Sequence, residues 1–185
     1  MSRQPFRAVS IVFLITASLA AIQNGSAESI ARIDVPFHHQ EKNGCGPASL
    51  KMLQGYWSAQ QPGLVPPLAA NADAALAVSS EHGALLSDMR QYLNSNGYHA
   101  FTIQASPTDL AEQLSKGRVP IVVLMNNPHA DLHYVVVTGL DERRVWLNDP
   151  AKSKPGNADR RKFVESWNRA GAWMLLAVPR RVKSE

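Results

Sequence analysis

Three features of this 185-residue chain predict an α+β domain rather than an alternating βαβ sheet. Helical patterns crowd the stretch that follows Cys45. Extended runs crowd the region from Val119 onward. Two of those runs, "LHYVVVTGLD" and "RVWLNDP", are linked through Asp141-Glu142-Arg143, the signature of a tight hairpin. The expected architecture is N-terminal helices packed on an antiparallel sheet, with one helix late in the chain.

The elements follow in order. "ARIDVPF" is extended and stopped by Pro36. "CGPASLKMLQGYW" reads as a helix: Pro47 suits a first turn, where its missing N–H costs nothing. Ala48, Met52, Leu53 and Tyr56 recur at helical spacing, with Leu50 beside them. "QQPGLVPP" is a loop, and "LAANADAALAV" a weakly specified helix. "LLSDMRQYLNSNGY" is a stronger helix, with Ser87 as its expected cap and Gly97 as its stop. "HAFTIQ" alternates as a strand does. "SPTDLAEQLSKG" carries a full set of helix signals: Ser106 as cap, Pro107 at the first position, Asp109 early, Gly117 at the end. "VPIVVLMN" is a buried strand, followed by the hairpin pair. "NADRRKFVESWNRAG" is a helix with Phe163 and Trp167 on one face, and "AWMLLAVP" a closing strand. The four tryptophans fall in or beside apolar runs and are expected in the core.

The chain begins with the pattern of a secretory signal. Arg3 and Arg7 precede an apolar run, Ala8 to Ile22, and Gly25 and Ala27 stand at signal-peptidase spacing. The run is short and interrupted by Ser and Thr, unlike a membrane anchor. We expect a signal peptide over residues 1–27, a single domain over 28–185, and a product exported to the periplasm or the extracellular space without a stable membrane span.

Removing Arg3 and Arg7 from 19 basic residues, against 15 acidic ones, lowers the formal charge from +4 to +2. Clustered basic residues occur in "RRK" (160–162) and "RRVK" (180–183). Neither is interleaved with aromatics, so both read as solvated surface and a nucleic-acid partner is not expected.

Export makes Cys45 conspicuous, because it is the only cysteine and exported chains normally pair theirs. It stands at a predicted helix start, where unpaired N–H groups favour a thiolate. Flanking Gly44 and Gly46 would leave room for a substrate. A nucleophilic thiol needs a base and a group that orients the base. Of six histidines, His133 is best placed, at the mouth of a strand. Asp149 ends the next strand, and hairpin pairing brings a strand's first residue near its partner's last. Asp149 would then fix the His133 tautomer and favour its charged form. The Cys45 N–H and the Gln40 side-chain amide are candidate oxyanion donors.

The stretches "VPFHHQEKNGCGPASLKML", "HYVVVTGLDERRVWLNDP" and the late "FVESW…WMLLAV" together resemble the papain-clan cysteine peptidases that trim double-glycine leaders from bacteriocin precursors, and their stand-alone relatives. The resemblance spans Val35 to Val178. It implies a papain-like fold, a peptide or protein substrate and no cofactor. It makes Cys45 the nucleophile, His133 the general base, Asp149 its orienting group and Gln40 part of the oxyanion hole. The Gln40-to-Cys45 gap is one residue shorter than usual in such sites. Unlike the transporter-fused leader peptidases, the chain carries no ATP-binding motif and begins with the signal pattern.

Two other readings compete. "HADLH" groups His129, Asp131 and His133, and His38 and His39 lie together, as zinc ligands can. No HExxH pattern accompanies them, so a metal is not expected. His38, His39, His82 and His99 read as surface or packing residues. The alternative function on the same fold is a cell-wall peptide amidase or a non-catalytic peptide-binding module.

Overall fold

The computed structural model describes residues 32–41, 44–63, 83–126 and 132–180. The signal-peptide pattern, the helix expected at "LAANADAALAV", His82, His129 and Asp131 lie outside them. The described helices are α1 (Cys45–Gln60), α2 (Leu86–Ser95), α3 (Pro107–Ser115) and α4 (Arg160–Arg169). The strands are β1 (Tyr98–Gln104), β2 (Ile121–Leu124), β3 (His133–Leu140), β4 (Arg144–Asn148), β5 (Gly156–Asp159) and β6 (Trp173–Pro179).

All six strands form one antiparallel sheet in the order β1-β6-β2-β3-β4-β5. The run β2 to β4 is the antiparallel meander expected, and β5 extends it by one strand that was not expected. The closing strand β6 does not extend it but returns between β1 and β2. The α+β class and the helix-on-sheet architecture are those the sequence predicts.

Side-chain alternation along β3 sorts the core into two layers. Tyr134 and Val136 face α1 and α2, with Leu50, Leu53, Met89 and Leu93. Val135 and Val137 face α3 and α4, with Leu110, Leu114, Phe163 and Trp167. Both faces of β3 are covered, which is why its sequence is a continuous apolar run. Helix α1 lies deep in the first layer: Leu50, Met52 and Leu53 are fully buried. Trp167 is fully buried in the second, its Nε1 donating to the Trp173 carbonyl at 2.9 Å.

Local signals account for most boundaries. The capping box at α3 is formed as read, with the Asp109 N–H donating to Ser106 Oγ and the Ser106 N–H to Asp109 Oδ2. The 141–143 hairpin is closed by Asp141 Oδ1, which accepts from the amides of Arg143 and Arg144 at 2.7 Å each.

Three expectations are corrected. Ser87 does not cap α2; extended Leu85 does, without a side-chain bond, and Ser87 Oγ donates to Asp88 Oδ1 inside the first turn. Asn157 to Asp159 are not the start of the last helix but β5, an edge strand paired with β4; Asp159 ends it and caps α4 from Oδ1. Trp173 is not a core residue; it is 39% exposed at the start of β6.

Candidate active site

Cys45 is the first residue of α1, as the sequence predicts. Its helix has no side-chain cap and no acidic residue in the first turn. The first-turn amides therefore keep their unpaired positive end for the sulfur. The amides of Gly46 and of Tyr134 also donate to the sulfur. Gly44 and Gly46 serve packing rather than substrate access. A Cβ on Gly46 would stand 2.9 Å from the Ala84 Cβ and 3.2 Å from the Met89 Sδ; one on Gly44 would meet the Glu41 carbonyl oxygen at 3.1 Å.

His133 opens β3 and reaches past the strand end in two directions. Its Nε2 lies 2.6 Å from Asp149 Oδ1. The ring also hydrogen-bonds the Cys45 side chain, for which Nδ1 is the nitrogen left. The β3–β4 register, with Val136 opposite Asn148, sets this meeting of strand start and strand end. Asp149 is further fixed by the Ala151 amide, which donates to Oδ1 at 3.0 Å. The His133 and Asp149 side chains keep 21% and 18% of their surface, so the pair is shielded but open to a cleft.

The electrostatics are mutual. Burial works against the charged His133 ring, but the Asp149 and Cys45 hydrogen bonds outweigh it and raise its pKa to about 9. Burial also disfavours the Cys45 thiolate. The His133 hydrogen bond, the Tyr134 amide and the nearby imidazolium charge reverse that, and the thiol falls below its ordinary value. Asp149 is likewise held below the usual carboxylate range against its own burial, chiefly by His133. These directions describe a thiolate–imidazolium pair backed by a carboxylate.

The segment before Cys45 is strapped to the turn after β4. Asn148 Nδ2 donates to the Val35 carbonyl at 3.0 Å, and the Gln40 backbone N–H to the Pro150 carbonyl at 2.9 Å. His39 Nδ1 lies 3.1 Å from the Lys152 carbonyl oxygen. The Gln40 backbone is thereby tied to Pro150, the residue after Asp149. The Gln40 Oε1 is buried without a hydrogen-bond partner among the described residues.

Two cavities open near the start of β3, and His133 lines one of them. One of about 380 Å³ is mostly apolar and includes Leu85, Leu132, Tyr134 and Trp173. The other, of about 320 Å³, begins at His133 and Asp149 and runs toward α4. Among the described residues no group of three His, Cys, Asp or Glu side chains is placed to hold a metal ion. No described helix is long and apolar enough to cross a membrane. His38, His39 and His99 are exposed. The site residue missed in the sequence is Tyr134. The available signal was its position: the residue after His133 must turn its side chain to the other face, toward α1, where it donates from its hydroxyl to the Ala84 carbonyl at 3.0 Å.

The fold has known counterparts. A double glycine motif protease from an AMS/PCAT transporter, solved with its leader peptide, is 23% identical, with a TM-score of 0.63 over 80% of this chain and 94% of that one. A C39-like peptidase from Bacillus anthracis is 18% identical, with a TM-score of 0.67 over 84% and 100%. The peptidase domain of Streptococcus ComA is 17% identical, with a TM-score of 0.59 over 78% and 97%. No curated protein matches the chain. The family model described as "Peptidase_C39 like family" matches residues 32–173, a span holding Cys45, His133 and Asp149, and the chain belongs to that family of peptidases.

Proposed function

We propose that the chain is an exported cysteine peptidase that hydrolyses peptide bonds through Cys45, His133 and Asp149. One observation carries the reading: the His133 ring is hydrogen-bonded to Asp149 on one side and to the Cys45 side chain on the other.

The steps follow from that geometry. The Cys45 thiolate attacks the scissile carbonyl carbon, and the carbonyl electron pair moves onto oxygen. The first-turn amide of Cys45 and the Gln40 side-chain amide receive that charge. The tetrahedral centre collapses, the C–N bond breaks, and the His133 imidazolium gives its proton to the leaving amine. The neutral ring then takes a proton from water as the water attacks the thioester. Cys45 leaves as thiolate, the acid is released, and His133 is again charged. Asp149 keeps the ring in its tautomer and lowers the cost of its charge.

The segment over residues 1–27, with its Arg3/Arg7 start and Ala27 exit, supports export to the periplasm or beyond. The leader peptide bound to the transporter protease supports a peptide as substrate class. A non-catalytic binder or a cell-wall amidase would give other results in one experiment. The mature chain and its Cys45→Ser variant are incubated with a proteome-derived peptide mixture and, in parallel, with purified cell wall, and new termini and released fragments are read by mass spectrometry. New peptide termini in the wild type, absent with Cys45→Ser, are expected. Peptide retention without cleavage, or release only of cell-wall stem-peptide fragments, would overturn the reading.

A further inference from the structure

The cavity that begins at His133 and Asp149 has a charge pattern the peptidase chemistry does not require. Lys152 and Lys154 reach it from the return after β4, and Lys162 from the first turn of α4. All three are exposed, and no ion pair among the described residues engages them. The only carboxylate on the cavity wall is Asp149, which His133 already holds. Lys162 also follows Arg160 and Arg161 in the first turn of α4, where the macrodipole disfavours cations; the Asp159 carboxylate at the N-cap offsets part of this, but it does not line the cavity. An anion in the cavity would meet the excess positive charge on its wall. Solvated surface accounts for a lysine singly, not for three converging from two elements on a space that starts at the proposed catalytic pair.

We propose that Lys152, Lys154 and Lys162 form a basic subsite that takes a carboxylate of the substrate on the leaving-group side of the scissile bond. The inference rests on the peptidase reading above. The side follows from the chemistry: the acyl carbon bonds Cys45, whereas the leaving nitrogen takes its proton from His133. The cavity wall includes His133 and excludes Cys45, so residues after the scissile nitrogen reach it. The second cavity, lined by Leu132 and Tyr134 but not by His133, is mostly apolar. The substrate class is thus a peptide acidic just after the cut.

The test uses two alkylating probes of equal bulk, iodoacetyl-glutamate amide and iodoacetyl-glutamine amide, in which the residue follows an amide nitrogen as it does in a leaving group. Their rate ratio on Cys45 is measured in the wild type and in the Lys152→Ala/Lys154→Ala/Lys162→Ala variant. Three modest ion pairs predict a glutamate preference about tenfold larger in the wild type at low salt, shrinking as salt is raised. Equal ratios in the two proteins would overturn the subsite. A thiol that reacts with both probes only in the free-thiol pH range would instead sink the peptidase reading. The ratio measured at about pH 9, where a free thiol also reacts, would still decide the subsite.

Discussion

Nε2 of His133 lies 2.6 Å from Oδ1 of Asp149, although sixteen residues separate them in the chain. The contact is a product of strand pairing: His133 is the first residue of β3 and Asp149 the first after β4. Against the ring's burial, and together with the Cys45 interaction, it raises the imidazole pKa to about 9, which places a cation beside the Cys45 sulfur at neutral pH.

Asp149→Asn keeps the size of the side chain and removes its charge. The imidazolium then loses the partner that raises it, and the thiolate loses part of its stabilisation. Iodoacetamide alkylation of Cys45 at about pH 6, below the free-thiol range, is expected to fall about tenfold or more, since one pKa unit is a factor of ten in the charged fraction. Alkylation rates of the wild type and variant across pH check this; unchanged rates would show that Asp149 does not act on the pair.

The same contact fixes the sign of a stability effect. The folded pKa of His133 is raised above its ordinary 6.5. Its contribution is therefore fully present below about pH 6.5 and is lost as pH rises through about 9. Asp149 is depressed from 3.8, so its contribution is present above that value and is lost as pH falls through its lowered folded pKa. Thermal melts of Cys45→Ser and Cys45→Ser/His133→Ala, in which the opposing Cys45 shift is absent and Asp149 alone raises His133, should show the difference in Tm narrowing as pH rises above 6.5. A difference that widens over that interval would contradict the raised pKa.

Gly46→Ala is expected to destabilise the protein by about 1–3 kcal/mol, the usual range for overpacking a core. The added Cβ would stand 2.9 Å from the Ala84 Cβ and 3.2 Å from the Met89 Sδ, and only the methionine can give way easily. Denaturant unfolding of the two proteins measures this. A neutral result would mean that the 83–89 segment moves freely away from α1.

The pattern of residues carried the site better than it carried the fold's margins. Cys45 at a helix start and His133 against Asp149 both follow from strong local signals: a helical period after Cys45 and a three-residue hairpin that fixes strand register. The α3 capping box was equally readable, because Ser106, Pro107 and Asp109 act within four residues of each other. Edge strand β5 was not, since "GNAD" has no apolar alternation; it is held by backbone pairing with β4 and by the Arg144 guanidinium donating to Asn157 Oδ1, a contact no local pattern reveals. The reason for Gly46 lay with Ala84 and Met89, about forty residues away, which no local pattern reveals. Trp173 looked like core because its neighbours are apolar, yet it starts the strand and keeps an open face. The convergence of Lys152 and Lys154 on Lys162 depends on the fold of the 149–160 return, so "RRK" read alone suggests only solvent.

The most direct measurement is the pH dependence of Cys45 alkylation by iodoacetamide, in the mature protein and in His133→Ala. A thiolate–imidazolium pair predicts fast alkylation at about pH 5–6, well below the free-thiol pKa, and its collapse in the variant. A slow reaction that rises only near a pKa of about 8.5, unchanged by the substitution, would contradict the account, because Cys45 and His133 would then be neighbours without being coupled.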